Sequence, residues 1–517
     1  MIAALSLATD LGTGLPLEHG LHSTQIAMRI ANELGLDAET ASQTYYTCLL
    51  FYVGCTANAD LAAAVFGDYN ALISYGGPVR FGSRGERIGG FLRAVAPPTG
   101  SPLVRVRQLA AGLPRLARAF PEQLAAQCEV GQMLADRLGL PPPVGRLFAY
   151  VDERWDGKGD PGRARGDEIP LAVRIVQVAR DAAFQRMLGG TDFAARVIGE
   201  RAGKAFDPAI AGQLADSGAD LIGTDDNAPA WDATLASEPA PHLSLAGQAI
   251  DRALAAMGDF ADLVSPYLVG HAAGVARLVA RAGELAGLSP AEVVAIRRAA
   301  LVHDLGRVAI PVKIWQKPGP LTLDEWEQVR LHAYHTERVL IRSRALAELA
   351  PIATYHHERL DGSGYHRRTV AAGITRPARL LAAADAYHAM TERRPHREAL
   401  SREEASATLS SETGAGRLDA DAAAAVIEAS GQPAPHIRRP GGLTDREVQV
   451  IGLLARGYQT KHVAADLQIS MKTADRHVQN AYAKIGISSR AAAALFAMEH
   501  GLITWGELPI SDASGPR

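Results

Sequence analysis

Residues 358–381 read ERLDGSGYHRRTVAAGITRPARLL, and residues 153–176 read ERWDGKGDPGRARGDEIPLAVRIV. The two stretches share Glu-Arg, Asp-Gly and a further Gly at the same spacing, followed at the same distance by an arginine and apolar residues. An earlier pair also matches, with LLFYVG at 49–54 beside LVHDLG at 301–306. Similarity repeated along one chain indicates an internal duplication of one structural unit.

The pattern around both copies is helical. Apolar residues recur at three- and four-residue spacing, for example in 271–286 and 290–302, whereas the alternating patterns typical of strands are scarce. Two polar, proline-containing stretches, 222–243 and 429–442, resemble linkers. The sequence therefore predicts an all-α protein with three helical regions: a first copy (1–221), a second copy (244–428) and a C-terminal region (443–517).

Composition narrows the class of protein. The chain has 517 residues, 47% of them apolar, and a formal net charge of −3, so any binding to nucleic acid must be local. Its cysteines, Cys48, Cys55 and Cys128, lack the pair spacing of a metal site and fit a reducing compartment. We find no signal peptide pattern and no apolar run of membrane-spanning length, so we expect a cytoplasmic protein without a membrane partner.

The second copy contains histidines and aspartates that could bind metal. Imidazole and carboxylate ligands together suit Fe, Mn, Zn or Co. Neighbouring histidines on a helix point about 100° apart and could serve different ions, and a carboxylate could bridge two ions. Two such ions could activate a water and stabilise the charge that develops in phosphoester hydrolysis. The candidate ligands are His271, His303, Asp304, His332, His356, His357 and Asp385.

This set resembles the HD-GYP family of phosphodiesterases, within the wider HD group of metal-dependent phosphohydrolases. The resemblance covers about residues 260–428 and also rests on Gly306, Pro311 and the run HHER-x-DG-x-GY at 356–365. It implies a helical bundle with a di- or trinuclear metal centre that hydrolyses cyclic di-GMP. Asp304 would bridge the metals, and His271 would be a ligand or a group that supports one.

Three positions depart from the family pattern. The family's Gly-Tyr-Pro ends in His366, the usual lysine after His-Asp is Arg307, and Tyr267 stands where some members carry a glutamate for a third metal. The last change favours two divalent metals over three. The changes at His366 and Arg307 keep the metal ligands but leave two substrate classes open, a cyclic dinucleotide or another phosphoester. Arg307 joins Asp304 as a catalytic candidate because a guanidinium can contact phosphate, although an arginine on a solvated helix face is the alternative.

The first copy lacks most of these ligands. A copy without ligands cannot hold the metals, so we expect a degenerate HD-type bundle that acts as a scaffold, a dimerisation surface or a ligand sensor. His22 is its one plausible match to a ligand, namely His271. The other matching positions carry Phe51 and Tyr52 for His303 and Asp304, Gln127 for His332, Val151 and Asp152 for His356 and His357, and Arg180 for Asp385.

The C-terminal region begins with a helix-start signal. Thr444 and Glu447 form a capping box, and Gly457 is placed to end the helix that follows. Further helices are predicted at about 460–467, at 471–485 and from about Ser489. The region resembles the LuxR-type helix-turn-helix domain. The resemblance rests on Leu443-Thr444-x-Arg446-Glu447, Gly457, the helix from Lys461 to Leu467, Ser470, Lys472-Thr473, His477-Val478, Lys484 and Arg490.

The resemblance implies double-stranded DNA as a partner and a homodimer as the binding form. The helix that starts at Met471 would enter the major groove with its N-terminal half. Residues 443–500 contain seven Lys/Arg against five Asp/Glu, so this region is mildly basic within an acidic chain. An ordinary helical bundle with a charged, solvated face is the alternative. The candidate DNA contacts are Lys472, Thr473, Arg476 and Gln479 on the third helix, with Lys461 and Lys484 on phosphates.

Two functions remain open at this point. In one, a metal-dependent phosphodiesterase is fused to a DNA-binding transcriptional regulator. In the other, both HD-type copies are non-catalytic sensor or dimerisation modules that control a LuxR-type transcription factor.

Overall fold

The computed structural model describes residues 1–54, 69–98, 101–223, 229–433 and 439–503, without the side chains of 69–71, 115–126 and 219. Cys55 and the end of the C-terminal region, 504–517, lie outside these ranges, as do parts of both predicted linkers. Every named element within them is helical, and only two isolated β-bridges occur among them. The all-α prediction is confirmed. None of the described helices has the length and apolar character that crossing a membrane requires.

The first copy and the segment after it form a series of helices of very different length. The longest, α6 and α8, have 36 and 31 residues, and α8 is kinked at Gly190. The helices are α1 (Ile2–Thr13), α2 (His19–Glu33), α3 (Ala38–Leu49), α4 (Tyr69–Gly76), α5 (Arg84–Val95), α6 (Pro102–Arg137), α7 (Pro142–Leu147), α8 (Leu171–Arg201), α9 (Pro208–Asp216), α10 (Gly218–Ile222) and α11 (Ala230–Ala236).

The second copy repeats this type of organisation, and short 3-10 helices at Leu305–Ala309 and Ala371–Gly373 interrupt it. Its helices are α12 (Gln248–Asp262), α13 (His271–Leu285), α14 (Pro290–Val302), α15 (Val312–Trp315), α16 (Leu323–Arg330), α17 (His332–Leu340), α18 (Arg344–Ala347), α19 (Ala350–Ala353), α20 (Arg376–Met390), α21 (Arg402–Gly414) and α22 (Ala420–Ala429). The C-terminal region adds α23 (Asp445–Ala455), α24 (Thr460–Asp466), α25 (Met471–Ile485) and α26 (Arg490–Glu499).

The chain divides into two compact units. The larger unit comprises Met1–Ala273, Leu301–Ala350 and Arg394–His396, and the smaller comprises Gly274–Ala300, Pro351–Arg393 and Arg397–Arg517. In the larger unit α8 packs against α2, α3 and α9, and the 3-10 helix Leu305–Ala309 packs against α17 and α1. In the smaller unit α20 packs against α22 and α21, while α23 packs against α25 and α26.

The predicted linker at 222–243 contains a packed helix. Helix α11 contacts α2, and both Trp231 and Thr234 are buried. The side chain of Gln25 donates to the carbonyl of Ala230 at 2.9 Å, which holds the helix in place. A seven-residue helix with two large apolar residues, of which only Trp231 is buried, has too little periodicity to be recognised in the sequence.

The duplication is visible in the start of the second helix of each copy. Helices α2 and α13 begin at His19 and His271. Just before them, the carboxylates of Asp10 and Asp262 accept from the backbone N–H ten residues further along, at 3.1 and 2.9 Å. The first-copy match for His271 is therefore His19, and the sequence match with His22 is wrong. His22 lies almost one turn further along the same helix.

Candidate metal centre and DNA-binding surface

The His303-Asp304 pair is held by a close approach of two backbones in the larger unit. A side chain on Gly306 would place its Cβ 2.1 Å from the carbonyl oxygen of His332, so only glycine fits here. The N–H of Gly306 donates to Thr336 Oγ1 at 2.9 Å, and this hydroxyl donates to the carbonyl of His303 at 3.1 Å. These contacts fix the pair beside α17, which begins at His332.

Asp304 is the centre of a buried polar cluster in the larger unit. Its Oδ2 lies 2.9 Å from His303 Nε2 and 3.5 Å from His271 Nε2, and its Oδ1 lies 3.3 Å from His332 Nε2. Arg307 Nη2 approaches Oδ2 at 2.7 Å. All three imidazoles and the carboxylate are at most 1% exposed. The structure thus brings four of the seven predicted ligands together around one carboxylate.

Asp304 is ionised in this environment. Burial alone would raise its pKa, but the charges of Arg307 and His303 and the hydrogen bonds from His271 and His303 outweigh burial. The pKa of this carboxyl is therefore well below its ordinary value. An ionised carboxylate is the form that binds a cation.

His332 is oriented in the way that a metal ligand requires. His332 Nδ1 lies 2.6 Å from the carbonyl oxygen of Val329, and because a carbonyl can only accept, Nδ1 carries the hydrogen. In the neutral ring, Nε2 then directs its lone pair at the carboxylate of Asp304. Two acceptors facing each other repel unless a cation lies between them, so this donor set fits a metal ion.

The remaining predicted ligands lie in the smaller unit. His356 is oriented in the same way as His332, with Nδ1 2.7 Å from the carbonyl oxygen of Ala353. His357 Nδ1 lies 3.8 Å from Asp385 Oδ2, and its ring stacks on Tyr365 with 4.2 Å between ring centroids. Tyr365 is the retained tyrosine of the altered Gly-Tyr-Pro signature. It packs against a predicted ligand although the proline after it is replaced.

Two further residues with ligand chemistry were missed in the sequence. His388 lies on α20, the helix that also carries Asp385, and its Nδ1 is 3.2 Å from Oε1 of Glu392, just after the end of this helix. A Cβ on Gly274 would lie 1.9 Å from His388 Nε2, so the glycine makes room for this ring. The spacing Asp-x-x-His-x-x-x-Glu was the available signal, because residues three, four and seven apart share one helix face.

Arg307 is more than an exposed arginine on a helix. It is 5% exposed, its guanidinium carbon lies 5.6 Å from the ring centroid of Trp315, and Trp315 Nε1 donates to its carbonyl at 3.2 Å. Its Nε and Nη1 have no hydrogen-bond acceptor within the described part of the chain. The guanidinium thus retains donors beside Asp304 that could bind an anion.

At the position that matches Asp385, the first copy has an arginine. Arg180, which replaces Asp385, is 3% exposed and lies 4.1 and 5.0 Å from the ring centroids of Tyr52 and Phe51. The match of Gln127 with His332 is confirmed, since a Cβ on Gly54 would lie 2.1 Å from the carbonyl oxygen of Gln127. The backbone frame of the second copy is therefore kept, while a fixed cation and two aromatic rings replace an aspartate and the His-Asp pair.

The helices of the C-terminal region form as predicted. Thr444 and Glu447 make the capping box of α23, and Ser470 and Ser489 cap α25 and α26 by accepting from backbone N–H groups. Gly457 adopts a φ of 98° after α23. Val450, Ile451 and other buried residues of α23 form the core of the region.

Most predicted DNA contacts lie on one exposed surface. Lys472, Arg476 and Gln479 on α25 and Lys461 on α24 are exposed. Thr473 is half-buried, and its N–H donates to the capping Ser470 at 3.1 Å. Lys484 differs from the others, because its Nζ lies 2.6 Å from Glu447 Oε2. It ties α25 to α23, and its contact with phosphate stays a prediction.

Comparison with known families and proteins finds a match for each of these two parts. Residues 255–422 match the HD domain family, and residues 442–497 match the bacterial regulatory proteins of the luxR family. The chain is 28% identical over 406 residues to the 3'3'-cGAMP-specific phosphodiesterase 3 of Vibrio cholerae, covering 77% of this chain and 87% of that protein. It is 39% identical over 146 residues to the cyclic di-GMP phosphodiesterase of Thermotoga maritima, covering 28% of this chain and 40% of that protein.

A solved structure is also similar. The crystal structure of a cyclic GMP-AMP-specific phosphodiesterase of V. cholerae superposes with a TM-score of 0.56 and 25% sequence identity. The match covers 83% of this chain and 96% of that one. Because it extends well beyond the matched HD domain, it also covers much of the first copy.

Proposed function

We propose that the chain is a metal-dependent cyclic dinucleotide phosphodiesterase fused to a DNA-binding regulator. It carries an HD domain and a C-terminal LuxR-type domain and is homologous to HD-GYP cyclic dinucleotide phosphodiesterases. The observation that carries the proposal is the environment of Asp304. A fully buried, ionised carboxylate faces imidazole nitrogens of His271, His303 and His332 at 2.9 to 3.5 Å. Arg307 supplies one positive charge on Oδ2, and a metal ion would supply the charge between Oδ1 and the Nε2 lone pair of a neutral His332.

The proposal keeps the full set of metal ligands predicted from the sequence. These ligands are His271, His303, Asp304, His332, His356, His357 and Asp385. We propose two divalent ions, in line with Tyr267 at the position where some relatives carry a third-metal glutamate. When bound, such ions supply Lewis acidity, which makes water more acidic and stabilises charge on a phosphate.

The chain's own residues complete the chemistry. Hydrolysis adds a water to the phosphorus, breaks one P–O ester bond and leaves a free hydroxyl and a phosphomonoester. The spare donors of Arg307, Nε and Nη1, are placed to hold a non-bridging phosphate oxygen while Nη2 remains on Asp304. Arg307 would thus orient the phosphate and stabilise the charge that develops on it.

The LuxR-type domain supplies the second activity. Exposed Lys472, Arg476 and Gln479 lie at one-turn spacing in the N-terminal half of α25, as a helix that reads the major groove requires. Paired half-sites favour a homodimer, because each single domain contacts few bases.

The deciding experiment measures metal content and hydrolysis of 3'3'-cGAMP and cyclic di-GMP in one preparation of the full chain. We expect about two metals per chain and turnover of at least one of these substrates. Asp304→Asn should lose both, because an amide cannot replace the carboxylate charge that binds metal. His335→Gln is the matched control, since His335 is a nearby histidine of α17 outside the ligand set.

Two outcomes separate this proposal from its alternative. Metal and turnover that persist in Asp304→Asn would refute the site assignment. Absence of both in the wild-type protein would favour the sensor function, in which the HD-type copies only control DNA binding. The observation that favours that alternative is the first copy, which keeps the fold with Arg180 in place of a ligand.

A further inference from the structure

A buried arginine joins the LuxR-type domain to the second copy within the smaller unit. Arg379 on α20 donates to the carbonyls of Ile374 and Ala371 at 2.8 and 2.6 Å and pairs with Asp419 at 3.2 Å. Its Nη1 also donates to the carbonyl of Gly501, just after α26. The arginine is 6% exposed, so water competes little for these bonds.

The first copy shows which of these contacts belongs to the fold itself. Arg174, the match of Arg379, pairs with Asp207 at 2.7 Å, and Asp207 caps α9. Asp419 likewise caps α22. An arginine bound to a helix-capping aspartate is therefore common to both copies. The bond to Gly501 is an addition in the second copy, where the same arginine also holds the DNA-binding domain.

A second ion-pair contact lies at the other end of the domain. Arg439 is placed between Asp421 on α22 and Asp445 on α23, at 2.5 and 2.6 Å. Both ends of the LuxR-type domain are therefore tied to the C-terminal helices of the second copy. The 3-10 helix Ala371–Gly373 also packs against α26.

The Gly501 contact is connected to the predicted metal ligands by two short routes. Helix α20 carries Arg379 and, less than two turns further along, Asp385. The loop that follows His357 returns to the same place, because Ala371 N donates to the carbonyl of Leu360 at 2.9 Å. The N–H groups of Arg367 and Thr369 on this loop donate to the buried carboxylate of Glu358, the residue that follows His357.

We infer that the Arg379–Gly501 contact is a coupling device through which occupancy of the HD site changes DNA affinity. The inference rests on the proposed function, since it requires a site that binds metal. Metal binding would fix Asp385 and His357. Helix α20 connects Asp385 to Arg379, and the loop after His357 connects it to Ala371. Gly501 lies against both Ala371 and Arg379. The DNA-reading residues of α25 stay exposed, so the coupling acts by fixing the placement of the domain and not by covering its DNA surface.

The test removes the contact without removing Arg379. Gly501 has a φ of 66°, and an added Cβ would lie 3.0 Å from both Ala371 Cβ and Arg379 Nη1. Asparagine tolerates this backbone conformation, so Gly501→Asn introduces bulk with little backbone strain. Gly486→Asn is the matched control, because Gly486 ends α25 with a φ of 69° and has no atom within 4 Å of an added Cβ among the described residues.

Each full-length protein is measured as EDTA-treated protein and as Mn²⁺-loaded, desalted protein. The readouts are Mn²⁺ content, the Kd for a labelled duplex DNA at fixed salt, and hydrogen exchange at 371–373 and 498–503. We expect Mn²⁺ to change the Kd of the wild type and of Gly486→Asn at least about fivefold, the lower end of typical couplings. Gly501→Asn should bind Mn²⁺ normally, exchange faster at both segments and show the same Kd in both states.

Each contrary outcome identifies what fails. A wild type that binds Mn²⁺ with an unchanged Kd overturns the coupling and leaves the proposed function intact. A Gly501→Asn variant that keeps the wild-type change in Kd overturns the contact as its route. A wild type that takes up no Mn²⁺ removes the proposed function, and the coupling with it.

Discussion

Gly306→Ala tests whether the close backbone approach at Gly306 builds the site. The added Cβ would lie 2.1 Å from the carbonyl oxygen of His332 and 2.4 Å from the N–H nitrogen of Thr336, far inside van der Waals contact. The 3-10 helix must then move away from α17 by about 1 Å or more. Overpacking of this kind costs about 1–3 kcal/mol, and the two hydrogen bonds through Thr336 contribute about 1 kcal/mol each. We expect a loss of about 3–5 kcal/mol in the free energy of unfolding of this part of the chain.

The same shift separates Asp304 from His332, whose side chains are 3.3 Å apart. A displacement of about 1 Å at a catalytic site costs roughly a hundredfold in rate, so turnover by the remaining folded protein should fall at least that much. Gly54→Ala in the first copy is the matched control. Its Cβ would meet the carbonyl oxygen of Gln127 at the same 2.1 Å, so it should cause similar local destabilisation without loss of metal.

Both variants are compared by chemical denaturation, metal content per chain and turnover of 3'3'-cGAMP below the unfolding transition. The reasoning is refuted if Gly306→Ala retains wild-type metal and turnover. It is equally refuted if folded Gly54→Ala loses metal as completely as Gly306→Ala does.

Three other predictions concern the DNA-binding surface, the buried Asp10 and the effect of metal removal. Lys472→Glu and Arg476→Glu should weaken DNA binding, and an unchanged gel shift would argue against this surface. The corresponding alanine variants should each reduce the slope of log K against log salt by about one if the side chain contacts a phosphate. Burial raises the pKa of Asp10 to about 7, although the Arg180 charge and the Gly20 N–H act in the opposite direction. The folded protein therefore has its full stability below about pH 4 and loses the contribution of Asp10 as the pH rises from about 4 to about 7. Asp10→Asn should therefore gain up to about 4 kcal/mol relative to wild type between pH 4 and pH 8, and a pH-independent difference in denaturation would contradict it. Chelation by EDTA should speed hydrogen exchange in α17 and α20 but leave the peptides around Arg180 unchanged, because that position needs no metal; equal effects in both copies would contradict this.

The C-terminal region was predictable almost to the residue because its signals are local. A capping box at Thr444, a serine cap at Ser470 and glycines at the helix ends each act within one turn of the chain. The gathering of His303, Asp304 and His332 was also predictable, although through the resemblance and not through spacing. No local rule states that Gly306 and His332 touch.

The errors and omissions come from contacts that the linear pattern does not encode. The match of His22 with His271 rested on a loose alignment that did not consider His19, and only the Asp10 and Asp262 hydrogen bonds fix the spacing. Helix α11 was missed because its stability comes from packing against α2. The ion pair of Lys484 with Glu447 was not predicted, because the two residues lie on different helices and sequence separation conceals such pairs; its contact with DNA phosphate stays a prediction.

The two copies share one backbone arrangement, although the first copy lacks the predicted metal ligands. In the second copy the carboxylate of Asp304 faces three imidazoles and the guanidinium of Arg307. The first copy instead replaces the His-Asp pair by Phe51 and Tyr52 and the aspartate by Arg180, whose charge lies over both rings. The replacements at Phe51, Tyr52 and Arg180 depend on one another. A guanidinium at this position would repel a nearby metal ion, and the two aromatic rings attract its charge. We therefore expect metal to bind only in the second copy, where Arg379 also contacts Gly501 next to the LuxR-type domain.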